Sequence, residues 1–263
     1  MRVQTIFLIT LSAILIIAVF SLDPIPQDPN YYLLADARTI LGVPNFWNVL
    51  SNFPFLLVGA AGIYYAASAE RPGMLPQLKL AYVIFFGGVF LTGFGSAYFH
   101  FAPTNNTLLW DRLPMTIGFM GLFTIIIGEH VSLRTAIVLL VPLLIVGAAS
   151  VIFWGVTEAR GAGDLRAYAL VQFLPMLLIP LILLMYRSAF DSVDFLWIVI
   201  VLYALSKLFE YFDFAVFEFG QLLSGHSIKH IVAAFAPLVF LYGLHYRRML
   251  PIGAPASEDA TRG

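Results

Sequence analysis

The sequence predicts an all-α integral membrane protein, a seven-helix transmembrane bundle with one extra N-terminal helix. Three observations carry that prediction. Of 263 residues, 60% are hydrophobic and only 11% are charged, against about 45–50% and 25% in soluble domains. The apolar residues gather into eight stretches, each near the roughly 20 residues that a helix needs to cross a bilayer. Lipid offers no partner to a free backbone N–H or C=O, so helices are the structure open to those stretches. The same composition excludes other classes. A net charge of −1 leaves no basic face for nucleic acid. The absence of Cys excludes disulfides, thiolate metal sites and a Cys nucleophile.

The elements follow in chain order. Thr5–Leu22 reads as a retained N-terminal transmembrane helix, a signal anchor, rather than a cleaved signal peptide. Only Arg2 precedes it, and the residues after Phe20 make a poor cleavage site. Residues 23–45 form a non-cytosolic segment. The bundle proper covers residues 46–250, with spans at Trp47–Ala67, Leu80–His100, Leu109–Gly128, Thr135–Gly155, Ala167–Tyr186, Phe195–Phe214 and Ser227–Tyr246. Residues 251–263 are small and polar and read as a disordered cytosolic tail. Lys and Arg set the orientation. With the N-terminus in the cytosol, that face holds Arg2, Arg71, Lys79, Arg134, Arg187, Arg247, Arg248 and Arg262, eight residues. The other face holds four: Arg38, Arg112, Arg160 and Arg166. Both termini are therefore expected in the cytosol, and in a bacterium the membrane would be the cytoplasmic one.

Ionisable groups at membrane depth are costly and point to function. Here they gather at the ends of spans that share the non-cytosolic face: His100, Asp111, Glu210, Asp213, His226 and His230. His226 and His230 lie four apart, so both imidazoles project from one helix face. With His100 they offer the three-His set of a catalytic zinc site, which keeps one position open for water. The bland alternative is a group of interfacial His bonded to headgroups or to one another. Ser96 sits one turn before His100 and can donate to a substrate carbonyl or to a developing oxyanion. Gly88 and Thr92, on the same face, read as helix packing. Asp111 is an N-cap, a general base, or the orienter of a ligand imidazole. Lys207 and Glu210 read as a structural pair, Asp213 as an outer partner of the metal site, and Lys229 as a snorkelling cation. His130 and His245 read as interfacial residues at the opposite face.

Four segments resemble the alkaline ceramidase family, in its bacterial-type form. Asn45-Phe-Trp-Asn-Val-Leu-Ser-Asn-Phe-Pro54 is similar to the family's N-F-W-N-x-x-S-N, and Gly95-Ser-Ala-Tyr-Phe-His100 to G-S-x-x-F-H. Trp110-Asp-Arg-Leu-Pro-Met115 is similar to D-E-L-P-M, and Gly225-His-Ser-Ile-Lys-His230 to H-x-x-W-H. The resemblance implies Zn2+ held by His100, His226 and His230, with Ser96 and Asp111 as site residues. It further implies hydrolysis of the amide of ceramide, or a related lipid amide, to a fatty acid and a sphingoid base. Three features depart from the pattern. Arg112 stands where the family has an acid, the His pair lacks the aromatic residue between its members, and Asp36 and Asn45 are only weak candidates for the calcium site of animal members. Other readings are a metal-dependent hydrolase of a different acyl lipid, a seven-helix receptor with a similar metal site, and a retinal protein using Lys229. The last leaves the three His unexplained.

Overall fold

A computed structural model describes residues 2–68 and 71–251, so the expected tail at 252–263 lies outside the described residues. Among the described residues, seven spans are long and apolar enough to cross a membrane. They are Val3–Phe20 (α1), Phe46–Leu50 joined to Phe53–Ala67 (α2 and α3), Lys79–Phe101 (α4), Asn105–Ile126 (α5), Leu133–Ala159 (α6), Arg166–Met185 (α7) and Gly225–Tyr246 (α10). The boundaries fall within a few residues of those the hydrophobic stretches predict.

The stretch at Phe195–Phe214 is different. Its helix stops after 17 residues at Tyr211 (α8, Phe195–Tyr211) and bends by 75° at Phe212 into Asp213–Gly220 (α9). Counted as one span, the bent pair brings the total to eight. The bend falls where a carboxylate enters an apolar run. Asp213 is buried, and it spends its oxygens on the backbone N–H groups of His226 (2.7 Å) and Ala35 (3.1 Å).

Round the bundle, α8 packs on α10, α10 on α3, α3 on α4, α4 on α5, and α5 on α6 and α7. Contact between α7 and α8 is slight. Helix α1 lies outside the ring, antiparallel to α7. At one end Gln4 Nε2 donates to Met185 O (3.2 Å) and the Thr5 hydroxyl meets Tyr186 OH (2.8 Å). At the other, Arg166 donates to the carbonyls of Phe20 (3.2 Å) and Leu22. Arg166 also holds the Asp164 carboxyl, outside the spans, below the usual carboxylate range by hydrogen bonding to it.

The bundle end away from His100, His226 and His230 is tied by a dry ion pair. Arg247, expected as a loop cation, is fully buried. Its Nη1 donates to Glu129 Oε2 (2.8 Å), its Nε to Gly73 O (2.8 Å), and its guanidinium lies 3.9 Å from the centre of the Phe190 ring. Tyr82 donates to the same carboxylate. A π-helical turn, Ile127–Val131, carries Glu129 inward and with it His130, which is buried rather than interfacial. Breaking such a pair strands a buried charge, at a cost of about 3–5 kcal/mol. Arg247→Ala is therefore expected to lower the thermal unfolding midpoint in detergent by several degrees more than Arg248→Ala, which removes an exposed side chain. Equal midpoints would contradict this role.

Candidate metal centre and its cavity

Two close helix approaches assemble the other end of the bundle. At Gly95 a Cβ would lie 2.1 Å from Trp110 O and 3.3 Å from Asp111 Cα, so only Gly lets α4 and α5 meet there. That contact brings Ser96 on α4 and Asp111 on α5 to the wall of the same cavity. At Gly225 a Cβ would lie 2.3 Å from Phe209 O and 2.8 Å from Asp213 Cα. The start of α10 is thereby pressed against the α8–α9 bend. Its first-turn N–H groups are satisfied locally: Ser224 Oγ accepts from Ser227 N (3.1 Å), and Asp213 from His226 N. Asp213 thus holds the backbone of a His rather than its ring.

The three expected His side chains converge. Ring centroids of His100 and His226 are 4.7 Å apart, those of His100 and His230 4.8 Å, and those of His226 and His230 4.9 Å. All three residues are buried, and each offers one ring nitrogen within 4.8 Å of the others. His100 Nε2 and His226 Nε2 stand 3.2 Å apart. Two nitrogens bound tetrahedrally to one ion at about 2.0–2.1 Å stand about 3.3 Å apart. The donor set therefore fits a metal ion. A second group in the sequence fixes one ring. Ser51 Oγ donates to Asn48 O (3.2 Å), which leaves it to accept from His230 Nδ1 at 2.8 Å. The His230 Nε2 lone pair is then free for an ion. Asn48 in turn accepts from Ser227 Oγ (3.0 Å) and donates to Asp36 O (2.9 Å), locking α2 to α10 and to the segment above.

That segment, residues 23–45, crosses over the His end. Asn45 Nδ2 donates to His100 O (2.8 Å), Gln27 N to Glu158 Oε2 (3.1 Å), and Tyr31 stacks on Phe99. Asn45 sits at φ 49°, a left-handed conformation that Asn tolerates. Burial, with the Glu210 and Asp111 carboxylates adding to it, pushes the Tyr31 phenol well up, so it stays a neutral donor. The two calcium candidates are otherwise engaged. Asp36 binds Arg38 through both oxygens (2.7 and 2.6 Å), and Asn45 binds His100 O.

Below the His cluster a cavity of about 280 Å³ runs between α4, α5, α7, α8 and α10. Its upper end holds Ser96, Asp111, Arg112, Lys207, Glu210, Lys229 and His230, and its lower end Phe85, Ile126 and Leu196. From Ser96 to Phe85 it follows eleven residues of α4. That is about 16 Å of helix rise, or half of the bilayer's hydrocarbon thickness.

Two expectations change here. Asp111 is not an N-cap, because Thr104 and Thr107 cap α5 reciprocally and Asp111 lies inside the helix. Lys229 does not snorkel outward: its Nζ reaches Glu210 Oε1 (2.6 Å) and His226 Nε2 (3.1 Å). Glu210 bridges it to Lys207, whose Nζ is 2.6 Å from Oε2. Ser51 and Asn48 were not singled out as site residues, although they fall within the Asn45–Pro54 motif, a polar run inside an otherwise apolar span.

Ser51→Ala frees the His230 ring. It is expected to weaken metal affinity about 10- to 100-fold, measured by competition with a chromophoric chelator, with the fold unchanged by circular dichroism. Unaltered affinity would remove Ser51 from the site.

A family model described as Ceramidase matches residues 42–258, most of the chain. Comparison with curated proteins returns no match.

Proposed function

The chain belongs to the ceramidase family, hydrolases of amide C–N bonds, and from that premise we propose that it is a zinc-dependent membrane amidase cleaving the N-acyl bond of ceramide or a related lipid amide. One observation carries the reading: three buried imidazoles converge at the polar head of a long apolar cavity, beside Asp111 and Ser96. Imidazole ligands without thiolates suit zinc among the divalent metals. Held by His100, His226 and His230, the ion supplies Lewis acidity toward the amide carbonyl and acidifies water to a pKa of about 7.

The remaining roles belong to the chain. The slight contact between α7 and α8 supports sideways arrival of a lipid from the bilayer. The apolar length of the cavity takes the acyl chain, which leaves the amide at Ser96 and Asp111. Ser96 Oγ donates to the carbonyl oxygen and strengthens that bond as charge develops on it. Asp111 takes the proton of the attacking water and passes it to the departing nitrogen, so the C–N bond breaks to a carboxylate and an amine. Residues 23–45 keep bulk water out, and Tyr31 stays neutral above the site. With His100, His226 and His230 holding a cation, the Lys229 ammonium would rest on Glu210, which it already contacts at 2.6 Å.

The site faces the non-cytosolic side in this reading. Arg112 and Arg247 are buried and leave the loop count, so the bias becomes seven Lys and Arg against three, with the same sign. Residues 46–250 act as the catalytic bundle and α1 as its anchor.

Purified wild-type protein is expected to carry about one zinc per chain and to release fatty acid from ceramide. His226→Ala should lose both. Asp111→Asn should keep zinc while kcat falls by roughly 10²–10⁴. Full ceramide turnover in His226→Ala ends the proposal.

A further inference from the structure

The charges that line the head of the cavity do not balance. Arg112, Lys207 and Lys229 face Asp111 and Glu210, three cations against two carboxylates. Glu210 is committed to both lysines, at 2.6 Å each. Arg112 has no ion pair among the described residues. Its Nη2 donates to the neutral Gln27 Oε1 (2.6 Å), while its Nη1 is buried without any hydrogen-bond partner. The residue is only 6% exposed. Trp154 and Tyr168 cover the guanidinium, with ring centres 4.3 and 4.8 Å away. They fix its plane and strip its water. A desolvated guanidinium without a counter-charge is costly, and a divalent ion on the His triad widens the imbalance. Its planar fork matches the paired oxygens of an oxyanion.

Position selects which half of the substrate meets it. Arg112 follows Asp111 on α5 and is tied to the covering segment through Gln27. It lies at the head of the cavity, away from the apolar length that ends at Phe85. A group bonded to Arg112 therefore belongs to the amine side of the amide rather than to the acyl chain.

We propose that Arg112 binds an acidic oxyanion on the amine half of the substrate, so that the preferred substrates are N-acyl lipids or N-acyl amino acids carrying a carboxylate or a similar group there. This rests on the amidase reading above and narrows it. The cleavage is the same: water adds to the acyl carbon, the C–N bond breaks, and the proton goes to the nitrogen of the departing acidic amine.

The test uses two amides with one acyl chain, N-palmitoyl glycine and N-palmitoyl glycinamide, in neutral detergent, with ceramide as the reference. Wild-type protein is expected to favour the acid over the glycinamide in kcat/KM by roughly 10- to 100-fold, the range of a charge-assisted bond. Arg112→Gln should bring that ratio toward one, and Arg112→Lys should restore part of it. Equal rates or a preference for the glycinamide in wild type overturn the proposal, as does turnover of ceramide with neither glycine compound cleaved. In both cases the amidase reading survives. Turnover of none of the three removes that reading and the proposal with it. The wild-type ratio decides even where an Arg112 variant does not fold.

Discussion

Everything at the functional end of this bundle depends on holding three imidazoles together out of water. A buried imidazole without a partner is unfavourable, and three within 4.8 Å of one another are more so. The fold imposes the arrangement through backbone contacts that tolerate no side chain, at Gly95 against α5 and at Gly225 against the α8–α9 bend. It adds hydrogen bonds that fix direction: Ser51 to the His230 ring, Asp213 to the His226 backbone, and Asn45 to the His100 carbonyl. A shared cation would turn that costly cluster into a favourable one.

The two ends of the bundle solve opposite problems. At the Arg247–Glu129 end the charges are paired and the guanidinium is packed under Phe190. At the His end Lys207, Glu210 and Lys229 form a chain of ion pairs, and Arg112 Nη1 is left without a hydrogen-bond partner. Between them runs an apolar cavity about half as long as the hydrocarbon core is thick. A lipid amide, polar at one point and apolar along its chain, matches that profile.

Much of this was legible in the sequence. The apolar stretches gave the spans to within a few residues, because lipid permits little besides helix. His100, His226 and His230 were legible as a set, since four-residue spacing puts two on one face and the third lies at the same depth. The bend at Phe212 was not legible, because the hydrophobic run passes straight through it. Lys229 was misread for a related reason. Helical spacing turns it away from the His pair, but it cannot show that Glu210, on another helix, draws the ammonium inward. His130 and Arg247 lie at span ends, where interfacial placement is the default, and only the three-dimensional pairing with Glu129 accounts for the buried Arg247. Ser51 and Asn48 are short polar residues whose partners lie about 180 residues along the chain, a separation that no local pattern reports.

The most direct test of the central claim is X-ray absorption spectroscopy of the purified, metal-loaded protein at the zinc edge. The account predicts a low-coordinate shell of nitrogen and oxygen at about 2.0–2.1 Å, with the outer-shell scattering of about three imidazoles. A shell built from oxygen alone, or one without imidazole scattering, would contradict it.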